Sequence, residues 1–341
     1  MKRRRVAIIG LGMAVTPHAK SLLDLADRVE VSHAISPSPQ RRQAFSMRFA
    51  FALGDSLEPV LRDDSVEIAA VLTPPNTHLE IVTRLARAGK HVLLEKPLEV
   101  SSARAVQLVE TCRAAGVTLG VVLQHRFKPA AERLAAILKA GALGQIVNCS
   151  TSIRLWRPQS YYDEPGRGTL TRDGGGVLLT QGIHTLDLML SLAGPVVELC
   201  GYASTSAVHR METEDLVCAA VRFASGAVGV IDATTAAYPG GPERIELIGT
   251  LGNASLAGTA LCVEYQNGRR EDVAADASAG GTGADPMAFP HDYHLGVWRD
   301  FLNALDEGRP PRVSGTEALQ VHALIDALIA AAASDRKVGM S

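Results

Sequence analysis

Val6-Ala7-Ile8-Ile9-Gly10-Leu11-Gly12 carries four apolar residues straight into a pair of glycines. Four consecutive apolar residues before a turn read as a strand buried on both faces, the kind a parallel sheet contains. Glycines at 10 and 12 permit a tight turn into the next helix. They also leave room for a pyrophosphate at the helix N-terminus, where unpaired N–H groups and the helix dipole favour an anion. A helix over His18–Ala26 continues from that turn. Gly10, Gly12, Met13 and Ala14 are therefore candidate cofactor contacts. The third position of the dinucleotide fingerprint holds Val15 in place of glycine or alanine, which widens the helix–strand spacing or shifts the turn.

Outward from this turn, short apolar runs alternate with amphipathic stretches as far as residue 124. Strands are predicted at 29–35, 67–72, 92–94 and 117–123, with helices at 78–88 and 102–115, the latter two stopped by Gly89 and Gly116. This alternation means βαβ units and a Rossmann-type domain over residues 1–124. Beyond it the pattern changes. A helix at 128–139 is followed by a strand at 146–155, a polar loop at 157–172, Gly174-Gly175-Gly176 and a helix to Leu192. Strand-like runs then follow at 196–204, 215–223, 227–236, 243–249 and 260–265. Strands without intervening helices predict a mostly antiparallel sheet in a second domain over 125–313. Residues 274–287 have the composition of a loop. A helix at 291–306 stops at Gly308. A last helix starts at Ser314, with Glu317 completing a capping box, and is expected to pack back on the first domain as a segment 314–341.

Bulk composition narrows the function. The chain has 341 residues, enough for about two domains, with 47% hydrophobic and 21% charged residues and a net charge of −2. A large core is available and no polyanion partner is indicated; the basic start, Lys2 to Arg5, is shorter than a nucleic-acid arm. No apolar run approaches the roughly 18 residues that span a bilayer. The five cysteines are scattered and never spaced as CxxC, which fits a reducing, cytoplasmic setting and no zinc site.

Three further stretches fall where the carboxyl ends of parallel strands place ligands. After the second strand, Ser36-Pro37-Ser38-Pro39-Gln40-Arg41-Arg42 offers hydroxyls and guanidinium groups in place of the carboxylate that receives the ribose of NAD. Ser36 and Arg41 suit a 2′-phosphate, so the expected cofactor is NAD(P), leaning to NADP. Thr73, Pro74, Asn76 and His78 follow the third strand, and Glu95-Lys96-Pro97 follows the next. A lysine at such a strand end faces the ligand crevice.

Taken together, these residues resemble the Gfo/Idh/MocA oxidoreductase family. The resemblance rests on the Gly10-Leu11-Gly12 turn with His18 beyond it, Thr73–His78, Gly89–Pro97, Gln124-His125-Arg126-Phe127, Gly174 through Asp187, and the tail Phe301–Ser314. It covers nearly the whole chain. It implies an α/β fold: an N-terminal Rossmann domain and a C-terminal α/β domain with a large open mixed sheet, assembling into dimers or tetramers through that sheet. It also implies hydride exchange between a nicotinamide and a carbinol carbon of a sugar, sugar acid, cyclitol or sugar-nucleotide. Lys96 and His184 match the family's catalytic lysine and histidine, and Gln124 matches a cofactor contact. The family often has an aspartate four residues before that histidine; Thr180 stands here. Gln181 and the loop from Arg157 to Thr169 resemble the sugar-nucleotide 3-dehydrogenase members.

Alcohol oxidation needs a base for the hydroxyl proton. His184, with an ordinary pKa of about 6.5, is suited to that task, and Lys96 to stabilising the developing alkoxide. Either could move the proton; the missing carboxylate at 180 favours His184. Asp187, one turn on, would orient substrate or imidazole. Arg126, Arg157 and Arg167 are candidate anion holders, and Tyr161 and Tyr162 candidate platforms for a sugar ring. His291 and His294 have metal-like spacing without a further ligand, and no metal is assigned. Two other functions fit the same motifs: a nicotinamide-dependent glycoside hydrolase, and a non-catalytic cofactor-binding sensor.

Overall fold

The computed structural model describes residues 3–276, 290–334 and 336–340. Most of the loop read at 274–287 lies outside the described residues. The chain divides into two compact units. One comprises residues 1–123 and 291–319, the other 124–290 and 320–341.

The first unit begins with β1 (Arg4–Ile9), α1 (Val15–Asp24), β2 (Val29–Ile35), α2 (Pro39–Ser46), β3 (Leu53–Gly54), α3 (Glu58–Arg62) and β4 (Val66–Val71). It continues with α4 (His78–Arg87), β5 (His91–Glu95), α5 (Ser102–Ala114) and β6 (Leu119–Val122). All strands pair in parallel in the order β3-β2-β1-β4-β5-β6, the doubly wound order whose reversal point lies between β1 and β4. Val6 through Ile9 and Ile68 through Val71 are buried, as the continuous apolar runs require of central strands covered on both faces. The sequence reading missed α2. Ser38 accepts from the Arg41 backbone N–H and Pro39 follows at the first helical position, so a stretch that reads as turn chemistry is a helix start.

The second unit contains α6 (Pro129–Lys139), β7 (Ile146–Arg154), α7 (Gln159–Tyr162) and a π-helical stretch, Leu178–Gly182, that runs into α8 (Ile183–Ala193). Seven strands follow: β8 (Val196–Ser204), β9 (Leu216–Phe223), β10 (Val228–Thr234), β11 (Arg244–Gly249), β12 (Gly252–Ala257), β13 (Ala260–Tyr265) and β14 (Arg270–Val273). The nine-stranded sheet has the order β14-β13-β12-β11-β7-β10-β9-β8-β15, where β15 is Val338–Gly339. Only the β7–β10 pair is parallel. β9 alternates buried Val217, Ala219, Val221 and Phe223 with exposed Cys218, Ala220 and Arg222, so one sheet face is covered and the other faces solvent. Helices α6 and α8 pack on the covered face.

Two helices, α9 (Asp292–Glu307) and α10 (Gly315–Ser334), revise the predicted boundaries. α9 packs on α1 and belongs to the first unit, because Trp298, Phe301 and Leu302 bury fully there. Ser314 caps α10 by accepting from Glu317 N. From residue 320 onward the chain belongs to the second unit, where β15 extends the sheet. Among the described residues α10 is also long and apolar enough to cross a membrane by length and composition alone. Its buried Ala318, Val321, Leu324, Ile325, Leu328 and Ala331 lie at helical spacing, the stripe of a helix packed against a protein core.

Candidate active site

The first unit carries the glycine turn after β1. Gly10 has φ +103°, and a side chain there would run into the Leu72 carbonyl at 2.7 Å, so only glycine lets β1 pass β4 at the crossover. Around Gly12 the space where a Cβ would stand is open. The turn thus has the bare backbone and the helix N-terminus that a pyrophosphate requires. Met13 and Asn76 are exposed and Ala14 and Thr73 half-buried around it, and Thr73 accepts from the Thr77 hydroxyl at 2.8 Å. At the end of β2, Ser36 turns inward and is buried, with its hydroxyl accepting from Ser38 N at 3.4 Å. Arg42 folds back onto the Ser36 carbonyl at 2.6 Å, and Arg41 is the exposed guanidinium of the pair.

Two residues expected to touch the cofactor are anchors. His78 is fully buried; Nδ1 faces the carbonyls of Pro97 and Leu98 and Nε2 that of Thr73. Burial pushes its pKa down while those carbonyls pull it back up. The ring ties the Thr73 segment to the segment after Lys96. Glu95 is buried beneath Lys96, accepting from the Lys96 backbone N–H at 3.1 Å and from His18 Nε2 at 2.9 Å. Burial works against its charge, but His18, His294 and Lys96 outweigh it and hold the carboxyl below its ordinary range. Behind it, Trp298 Nε1 donates to His18 Nδ1 at 3.0 Å, which leaves the imidazole proton on Nε2, facing Glu95. His18, Glu95 and His294 lie close enough to hold a metal ion. A cation would have to displace the proton between His18 and Glu95 while Trp298 occupies the other nitrogen. The donor set fits a hydrogen-bonded chain better than a metal centre. Lys96 itself is half-buried at the end of β5.

The second unit carries His184 on α8, behind the π-helical stretch. Gly176 N and Leu178 N donate to the Glu214 carboxylate at 3.0 and 3.2 Å, and Val177 N to the Glu214 carbonyl at 2.9 Å. A Cβ on Gly176 would stand 1.8 Å from that carbonyl oxygen, which explains the third glycine of the run. Burial pushes the Glu214 carboxyl up, against the backbone donors that lower it. The π-helical turn that follows displays Thr180 and Gln181, both half-buried; the Thr180 hydroxyl lies on the Gly176 carbonyl at 2.6 Å and on Gln181 Oε1. Such turns interrupt the regular helix ladder and recur at functional positions.

One turn further on, half-buried His184 packs its ring against His125, with centroids 5.0 Å apart. His125 lies between Glu243 (3.8 Å) and the Thr185 hydroxyl (3.4 Å), and Thr185 donates to Glu243 at 2.7 Å. Glu243 also faces buried Lys128, whose pKa is lowered by burial and partly restored by that carboxylate. Nothing in the spacing of Glu243 singles it out; it stands just before β11 and meets His125 and Thr185 only in the folded unit.

Several sequence expectations change in this unit. Asp187 is buried and holds Arg126 at 2.8 and 2.6 Å, a bidentate ion pair. The two side chains expected to meet substrate are engaged with each other, and the pair ties the segment after β6 to α8. Tyr162 is a core residue: its hydroxyl meets Thr235 Oγ1 at 2.8 Å, and burial pushes the phenol up to about 12. Its neighbour Tyr161 is the ring near the π-helical stretch, with its hydroxyl 3.4 Å from Gln181 Nε2 and accepting from Arg167 Nη1 at 2.9 Å. Arg167 is balanced by Glu164 at 2.8 Å. Gln124 is buried at the start of this unit.

A doubly wound sheet with a bare glycine turn, followed by a sheet unit that carries a histidine after a glycine run, can now be set beside known proteins. Residues 4–123 match the model of an oxidoreductase family with an NAD-binding Rossmann fold, and residues 131–255 match the GFO/IDH/MocA C-terminal domain. The chain belongs to the GFO/IDH/MocA oxidoreductase family. Within this family the chain is similar to myo-inositol 2-dehydrogenase of Thermotoga maritima, 28% identical over 92% of this chain and 91% of that protein. It is 26% identical to D-apiose dehydrogenase of Paraburkholderia graminis over 99% of this chain and 90% of that one. Among solved structures it is similar to the WlbA dehydrogenase of Bordetella pertussis in complex with NADH and UDP-GlcNAcA, with TM-score 0.85 and 27% identity, covering 100% of this chain and 99% of that chain. As a GFO/IDH/MocA family member, the protein is an oxidoreductase of the NAD-dependent dehydrogenase type, and Gly10 and Gly12 lie within the matched Rossmann segment.

Proposed function

We propose that the protein oxidises or reduces a single carbinol carbon of a sugar derivative, with His184 as the proton carrier and Lys96 as the group that stabilises alkoxide charge. The observation that carries this reading is the setting of His184. It lies on a helix fixed by Glu214, stacked on His125 and bordered by the polar groups of Thr180, Gln181 and Tyr161. When bound, the nicotinamide supplies the site that gives or takes the hydride. The residues of the chain do the rest. His184 takes the hydroxyl proton, and His125, held by Glu243 and Thr185, supports its ring. Lys96, on a strand end whose backbone is pinned by Glu95, offers an ammonium suited to stabilising alkoxide charge. Named relatives act on a cyclitol and a pentose, and a solved neighbour binds a sugar-nucleotide acid, which supports a sugar-like substrate. The test is a panel of sugars, sugar acids, cyclitols and nucleotide sugars, following the absorbance of the reduced nicotinamide. Turnover on one class with the wild type, and its loss in Lys96→Ala, supports the reading. Absence of turnover across the panel sinks it.

Three finer points belong to the same proposal. NADP is preferred over NAD, supported by exposed Arg41 and by the lack of a carboxylate between Val31 and Ala44; calorimetry showing tighter NAD binding would reverse it. Two copies pair through the solvent face of the second unit's sheet, supported by exposed Tyr202 on β8 and Val228 and Val230 on β10, the strands that flank β9, and light scattering would check it. The protein works in the cytoplasm, supported by free thiols at all five cysteines, with burial pushing Cys112 and Cys149 up to about 12.

A further inference from the structure

Arg157 is a buried guanidinium with no carboxylate partner among the described residues. It is 8% exposed. Nη1 donates to the Trp156 carbonyl at 2.7 Å, Nε is enclosed without an acceptor, and no protein acceptor meets Nη2. The other charges nearby are matched. Arg167 is held by Glu164, and Arg126 by Asp187. Asp215 is fully engaged: it accepts from Ser206 N (2.6 Å) and Ser206 Oγ (2.7 Å) and faces His209 Nδ1 (2.6 Å). Leaving one cation buried and unmatched is strongly unfavourable in an isolated protein, because desolvation is not offset by a counter-charge. The backbone around it is also fixed, since His209 Nε2 meets the Arg157 carbonyl at 2.8 Å.

The position of this charge is informative. Its Cζ lies 5.7 Å from the centre of the Tyr161 ring, and that of Arg167 lies 4.4 Å from the same ring. The Tyr161 hydroxyl in turn reaches Gln181, three residues before His184. We propose that Arg157 receives an oxyanion carried by the substrate, a carboxylate or a phosphate attached to the sugar whose carbinol His184 serves. A guanidinium whose Nη2 keeps its donors free of any protein acceptor, beside the ring of Tyr161, suits an oxygen of such a group. The proposal rests on the dehydrogenase reading only for the identity of the ligand as substrate.

Thermal unfolding of the full chain separates the two. Wild type, Arg157→Met and Arg157→Lys are compared in chloride at fixed ionic strength, and then with inorganic phosphate, D-glucuronate, D-glucose 6-phosphate or D-glucose. In chloride, Arg157→Met is expected to unfold higher than wild type by roughly 2–4 °C, because methionine keeps the aliphatic stem and removes the unmatched charge. At least one anion should raise the wild-type midpoint, raise Arg157→Lys by less, and leave Arg157→Met unmoved, while D-glucose moves none of them. Response to glucuronate alone assigns a carboxylate; response to phosphate or glucose 6-phosphate assigns a phosphate. A lower midpoint for Arg157→Met in chloride, anions that shift wild type and Arg157→Met equally, or a wild type that no anion moves would each overturn the proposal. None of these readouts depends on turnover, so failure of the dehydrogenase reading would appear in the sugar panel and not here.

Discussion

The segments around Lys96 and around His184 solve the problem of holding a reactive side chain in opposite ways. Lys96 sits on a strand end whose supports are concentrated: Glu95 is its neighbour in sequence, and His18 and Trp298 line up behind that one carboxylate. His184 sits on a helix whose supports are dispersed. Glu214 fixes the helix start, His125 packs on the ring, and Glu243 meets His125 from the residue just before β11, far along the chain. A strand end in a parallel sheet is already rigid, so one buried chain of hydrogen bonds suffices. A helix that begins in a glycine run and passes through a π turn has no such rigidity of its own and needs partners from several segments.

Four substitutions probe this contrast, from the largest expected effect to the smallest. His184→Ala removes the proton carrier and is expected to lower kcat about 10³-fold, near 4 kcal/mol, with cofactor affinity unchanged; steady-state kinetics alongside cofactor titration check it. Equal turnover in the variant would move the chemistry to Lys96. Gly176→Ala drives a methyl into the Glu214 carbonyl, and a loss of about 3 kcal/mol is expected in denaturant unfolding of the second unit. A change under about 0.5 kcal/mol would show that the helix start tolerates movement.

The third concerns the concentrated support. Burial, with His18 and His291 as like charges and Glu95 opposing, lowers His294 to about 3 from an ordinary 6.5. Between about pH 3 and pH 6.5 the unfolded chain therefore binds a proton at this residue that the folded chain refuses. Stability from this source is complete above pH 6.5 and falls as pH drops through that window, by up to about 1.4 kcal/mol per pH unit. His294→Leu should flatten the acid limb, worth about 2 kcal/mol between pH 6.5 and pH 5; an unchanged slope in urea melts would contradict it. The last concerns the dispersed support. Glu243→Gln keeps size but removes charge beside His125, and is expected to lower kcat about tenfold and shift the pH profile, with little change in unfolding midpoint. If only the midpoint moved, Glu243 would be structural.

What the linear sequence determined follows from periodicity and from local motifs. Val6–Ile9 running into Gly10 required a buried strand and a crossover that only glycine permits. Ser314 with Glu317 placed the start of α10 to within a residue. Gly174 to Gly176 marked the start of the helix that carries His184, because a helix start so close to another backbone excludes side chains. These signals are legible because both partners of each interaction lie within a few residues. The tertiary structure decided what depended on distant partners. It assigned α9 to the first unit by burying Trp298, and it turned His78 and Glu95 from cofactor contacts into anchors. It joined Arg126 to Asp187, buried Tyr162 against Thr235 while leaving Tyr161 beside Gln181, and brought Glu243 to His125. It left Arg157 alone among three arginines without a counter-charge, and only the folding of distant segments can decide which charges meet.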